Sequence, residues 1–238
     1  MGTSSSYEAP STGGWPAAKA AATRFASQHN TDAASQPHAL TAAYVFAIGG
    51  AVAAAARAIT GRRTAAQLGS FLGRAAEVGL NTALEEQGLG DLVGRDPLAV
   101  LAALVDLLAG DAEAPEAAAN RDALIAVLQA ELFEAATYEE LELLLMDSLD
   151  ATGIVRLLEL FIVEYIYRRI CQELGKQLEA GAQTPADLPA IERDLRAYIV
   201  DSVALELANV NVMTLDWASD ATQKRIEGIF ASAYGQIS

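Results

Sequence analysis

The chain has 238 residues, 52% of them hydrophobic, and a formal net charge of −15 at pH 7. That length builds one large domain or two small ones and supports a sizeable core. The acidic balance argues against direct binding of DNA or RNA phosphates, and the single cysteine, Cys171, excludes an intramolecular disulfide, as suits a reducing compartment.

The charge is uneven. Residues 1–110 carry 7 basic and 8 acidic residues, whereas 111–238 carry 9 and 23. The acidic half suits a solvated surface or a basic protein partner. Alanine is abundant and alternating β-branched runs are scarce, so the expected fold is all-α: a multi-helix bundle with a flexible N-terminal tail. The division expected is a tail over 1–14, an Ala/Gly-rich helical subdomain over 15–110 and an acidic helical bundle over 111–238, with the acidic stretch 111–116 as linker.

In chain order, Ser, Thr, Gly and Pro dominate the first 14 residues, which leaves them without regular structure. Trp15-Pro16 opens a helix to about Ser27, and Ser35–Pro37 opens a second to about Ile59, weakened by Gly49-Gly50. Within it, Ala39–Ala56 is uncharged and nearly long enough to span a membrane, but its alanines and glycines fit a buried helix better. Gly61-Arg62-Arg63 reads as a break, and Thr64 as the cap of a third helix to about Glu86. Leu68, Leu72, Ala75 or Ala76, and Leu80 share one face of that helix, and Gly69, Gly73 and Gly79 suit close packing. Asp96-Pro97 starts the next helix and Gly110 ends it. A helix follows over 115–135, then a short one capped by Thr137 and Glu140 and ending near Met146. The longest runs from Asp150 to Gly181, with Ile154, Leu158, Ile162, Ile166, Ile170, Leu174 and Leu178 recurring every four residues. Thr184-Pro185 starts another, to about Ala208, and the last covers about Ser219–Tyr234.

Signatures of catalysis are scarce. There is no phosphate-binding P-loop, and Gly88–Gly94 lacks the dinucleotide spacing. His29, His38 and Cys171 do not form a zinc ligand set of usual spacing. Cys171 reads as a structural cysteine on an apolar face. Glu159, Glu164 and Glu173 could project into the bundle. Arg168-Arg169 interrupts an apolar helix, so one of the two suits a buried carboxylate or a partner.

The first residues, Met1-Gly2-Thr3-Ser4-Ser5-Ser6, hold the strongest chemical feature. Removal of Met1 frees a glycine amine with an ordinary pKa near 8, open to an activated acyl group. Gly2 and Ser6 also fit the N-myristoylation pattern, though no basic patch lies nearby as a second anchor.

This opening resembles the start of QatB proteins of the four-component Qat anti-phage defence system. Ala18-Lys19 through Thr23-Arg24-Phe25-Ala26-Ser27 is similar to the family's ARxxxTRFAS element. Ile162 to Ile166 with Tyr167-Arg168-Arg169 resembles its long C-terminal helix, and Leu215-Asp216-Trp217 its Leu-Asp-Trp element. After Ser6 the chain departs from many relatives: Tyr7-Glu8-Ala9-Pro10 and Gly13-Gly14-Trp15-Pro16 replace a Gly-Pro-Gly and proline-rich run. The resemblance implies a non-catalytic, cytoplasmic protein, made beside an ATPase (QatA), a QueC-like enzyme (QatC) and a TatD-like nuclease (QatD). It implies that QatC attaches a 7-deazaguanine-type nucleobase by an amide to Gly2 and reads Thr3, Ser4, Ser5 and Ser6 as the recognition tail. ATP and zinc would then belong to QatC, with no cofactor or metal in this chain, QatA as a further partner, and no nucleic acid or membrane bound. The alternatives are a membrane-acting effector using the Ala39–Ala56 helix and, third, a helical enzyme with carboxylate chemistry.

Overall fold

A computed structural model describes residues 13–29, 36–110, 116–132, 135–203, 212 and 215–238. Among these there are eleven α-helices and no strand. The fold is all-α, as the sequence predicts. Its axis is α9 (Ala151–Gly181), which packs against α1 (Trp15–Gln28), α4 (Ile59–Val78), α7 (Ala117–Leu132), α10 (Leu188–Ser202) and α11 (Asp220–Gln236). Phe161 to Tyr167 are buried without interruption, because a helix surrounded by others has no solvent face to fill. The four-residue stripe from Ile154 to Leu178 is buried throughout. One apolar core draws on residues from both the 15–110 and the 116–238 regions.

Several helix ends follow sequence signals. The Asp96 side chain accepts from the Leu98 and Ala99 amides at the start of α6 (Pro97–Ala109), and Asp150 accepts from Gly153 N–H at 2.7 Å. Thr137 caps α8 (Tyr138–Asp147), but the Glu140 carboxylate accepts the Ala136 amide rather than that of Thr137.

Three expectations need correction. The helix expected from Thr64 to about Glu86 begins at Ile59 and breaks at Gly79, whose φ is +85°. The helix expected from Ser35 to Ile59 is two, α2 (Pro37–Ile48) and α3 (Ala51–Arg57), bent by 68°. Gly49 and Gly50 have φ of +109° and +93°, a backbone only glycine adopts cheaply. No single helix among the described residues is long and apolar enough to cross a membrane. Gly61-Arg62-Arg63, read as a break, lies inside α4. The break falls at Ala58 instead, where α3 ends. Gly61 is helical because Tyr165 needs its bare face: a Cβ there would sit 2.8 Å from the ring. A Cβ at Gly69 would overlap Trp217, which seats the Leu-Asp-Trp element on α4. Gly73 is open by comparison, and Gly79 separates α4 from α5 (Leu80–Glu86).

Candidate functional site: a polar cavity beside the root of the tail

Gly2, Thr3, Ser4, Ser5 and Ser6 lie outside the described residues, which begin at Gly13. The root of the tail is described. The Gly14 carbonyl accepts from Ala18 N–H at 3.1 Å, and a Cβ on Gly14 would lie 2.8 Å from the Ala47 Cα. Trp15 is buried and meets Tyr44 edge-on, with ring centroids 6.1 Å apart. The chain therefore leaves the body from a fixed point against α2.

Behind that point lies a cavity of about 130 Å³. Its lining draws Trp15 from α1, Tyr44 from α2, Arg57 from α3, Tyr165, Arg169 and Glu173 from α9, Tyr234 from α11, and Glu116 at the head of α7. Glu116 is fully committed: one carboxylate oxygen accepts the Thr60 amide at 2.6 Å and the other the Tyr165 hydroxyl at 2.7 Å. Arg169 donates to Gln172 and to one oxygen of Glu173. The second oxygen of Glu173 and the Tyr44 hydroxyl are both buried and are paired loosely with each other, beyond ordinary hydrogen-bond distance.

Burial sets the electrostatics. It pushes the Glu173 carboxyl above its ordinary value, with Arg169 and the Tyr44 hydroxyl pulling it back. Burial also raises the Tyr44 and Tyr165 phenols well above theirs, and raises Tyr234. It opposes the Arg169 charge, but Tyr44 and Glu173 more than offset that and keep it protonated. The cavity thus combines fixed donors, a loosely paired carboxyl and hydroxyl, and aromatic walls.

A second buried carboxylate on α9 is built differently. Glu164 is 2% exposed, receives a hydrogen bond from Arg196 of α10, and has Arg168 Nε at 3.5 Å from its other oxygen. It braces α9 to α10. Both arginines of the Arg168-Arg169 pair thus face a buried carboxylate, and Arg169 is the more deeply buried of the two. The half-buried Cys171 thiol is pushed up to about 12 by burial and then by Glu192, so it is no thiolate nucleophile at neutral pH. His29 Nε2 lies 2.8 Å from Asp194, and His38 stacks edge-on with Tyr198. Among the described residues no three His, Cys, Asp or Glu side chains converge on a metal position.

Sequence reasoning placed Tyr44 and Tyr165 among apolar residues and Glu116 in a linker. The available signal was the hydroxyl itself, since a tyrosine on a core stripe needs a partner for its O–H.

Comparison with known families settles membership. The model for the Qat anti-phage system associated protein QatB matches residues 49–237. The chain belongs to the QatB family. The match takes in α9 and the Leu-Asp-Trp segment, and begins at the bend between α2 and α3. As a family member the chain is a component of the Qat anti-phage system, and its partners lie within that system. No curated protein and no solved structure matches the chain.

Proposed function

We propose that this chain is the non-catalytic protein substrate of the QueC-like enzyme of its system, QatC, and carries a 7-deazaguanine-type nucleobase on Gly2. The observation that carries this reading is the start Met-Gly-Thr-Ser-Ser-Ser on a chain of the QatB family. Removal of Met1 exposes the Gly2 amine. QatC activates the carboxylate of the base with ATP, giving an acyl-adenylate and pyrophosphate. The neutral amine attacks the acyl carbon, the amide C–N bond forms, AMP leaves and the amine gives up one proton. Glycine suits the acceptor position because it has no β-carbon to crowd the attack. Thr3 to Ser6 offer backbone and hydroxyl hydrogen bonds to an enzyme channel. ATP and zinc serve in QatC, not here.

The anchored root at Gly14 and Trp15 supports a division of labour. The tail presents the amine while the body supplies docking surface, because ordering a free tail costs about 1–2 kcal/mol per residue. The ATPase QatA is a further partner, and the system works in the cytoplasm. Co-expression with QatC tests the reading. The wild-type chain gains the mass of the base, whereas Gly2→Val and a chain extended before Gly2 do not, though both still bind QatC. A Gly2-blocked chain that still gains the base would overturn it.

A further inference from the structure

We propose that this chain associates with itself head to tail, the acidic outer face of α8 in one copy docking on the basic, apolar face formed by α3 and the start of α4 in the next. Charge separates the two faces first. Residues 33–76 carry four arginines and no aspartate or glutamate, whereas residues 122–155 carry no lysine or arginine. In a chain of net charge −15 the first stretch is the exception.

Each stretch also leaves large apolar side chains in water. On α3, Ala54 and Ala55 are buried where the helix packs on α11. Val52 and Ala56 stand one turn apart on its other side, and Ile59 and Arg63 one turn apart at the start of α4; all four are exposed. Ala58 alone joins the two helices, which keeps these residues close together. Arg62 is taken by Glu227 of α11, but Arg63 donates only to the Ala109 carbonyl, at 3.5 Å, so its charge stays available. The α8 face is the counterpart. Tyr138, Leu141 and Leu145 are buried. Glu139, Leu143 and Asp147 recur every four residues on the outer side, with Glu140 and Leu144 next to them, and all five are exposed.

An apolar centre with acidic flanks thus matches an apolar centre with a basic flank. Burial of the leucine, valine and isoleucine side chains supplies the attraction, and the charges fix which face meets which. Because the faces differ, the contact is heterologous: a pair of copies still has one open face of each kind, and assembly continues or closes into a ring. Two single-helix faces make a small interface, in the class below about 1,200 Å², so the association depends on concentration. An anionic bilayer suits the basic face less well, since it repels the net charge of the chain.

Light scattering on the full chain tests this. The expected mass rises above one copy as the concentration approaches about 0.1 mM and falls back when salt is raised. Val52→Glu and Leu143→Gln should each weaken the association by roughly tenfold or more. The two side chains are 73% and 69% exposed, so both variants should keep the wild-type melting curve. Mixed one to one, the variants should pair and stop at two copies, because each brings the face that the other has lost. If Val52→Glu does not fold, Arg63→Glu takes its place. A wild-type chain that stays single at about 0.1 mM and low salt, a native variant that associates like wild type, or a mixture of native variants that stays single would overturn the proposal. So would a wild-type chain that is single in solution and sediments with phosphatidylserine vesicles, which would assign the basic face to lipid. The test uses neither Gly2 nor QatC, so its failure leaves the function proposed above as it stands.

Discussion

Glu164 and Glu173 lie nine residues apart on α9, and both are almost fully buried, yet the helix uses them in opposite ways. Glu164 sits between two arginines that reach inward from the rim, Arg196 and Arg168, with guanidinium ends still partly in water. Glu173 is held by one arginine that is itself 14% exposed, and its second oxygen opens on a cavity. The first carboxylate is braced from outside by a hydrogen bond from Arg196, with Arg168 nearby. The second is enclosed, so each neighbour matters. Burial by itself therefore does not mark a site.

The difference can be broken most sharply through the arginines. Arg169→Ala should destabilise the fold by about 3–5 kcal/mol, because it strands an enclosed carboxylate. Arg196→Ala should cost less, about 1–3 kcal/mol: it removes a hydrogen bond donated to the buried Glu164, but the Arg196 side chain is 45% exposed and Arg168 stays nearby. Chemical denaturation of the two variants gives the comparison, and equal losses would erase it.

The cavity tyrosines sharpen it next. Tyr165→Phe removes the donor to Glu116 and leaves a buried carboxylate oxygen unpaired, for about 1–3 kcal/mol.

The third effect is a pH dependence. The Glu173 carboxyl is raised in the folded state, so the unfolded chain releases this proton at lower pH than the folded one. The contribution from this residue is fully present below the ordinary carboxylate value and is lost as pH rises through the higher folded value. Wild type should therefore lose stability relative to Glu173→Gln as pH rises above the ordinary carboxylate value, measured as the difference between their melting curves. Parallel pH profiles would show that Glu173 is not strained by burial.

The smallest effect belongs to Tyr44→Phe. Its hydroxyl supports one Glu173 oxygen only loosely, so stability should change by about 1 kcal/mol or less, in contrast to Tyr165→Phe.

Much of this fold was legible because it rests on local chemistry. The Asp96 and Asp150 caps and the Ile154–Leu178 stripe depend on neighbours a few residues away, and periodicity reports them directly. Helix breaks were harder. Gly61-Arg62-Arg63 carries the signature of a break, yet it is helical because the ring of Tyr165, a hundred residues on, packs on the bare face of Gly61. The cavity was the least legible part. Its lining comes from five helices and the residue that heads α7, and nothing in the local spacing of Glu116, Tyr44 or Tyr234 says that they converge. Only Glu173 and the Arg168-Arg169 pair, charges on an apolar helix, point inward from the sequence. The Gly2 acceptor rests on an opposite kind of signal, a short sequence whose chemistry needs no fold.

That acceptor is the central claim, and fragmentation mass spectrometry of the N-terminal peptide after co-expression with QatC tests it most directly. The account predicts loss of Met1 and a nucleobase adduct joined through an amide to the Gly2 nitrogen. An adduct mapped to any residue beyond Ser6, or a folded, QatC-bound chain whose Gly2 amine stays free, would contradict it.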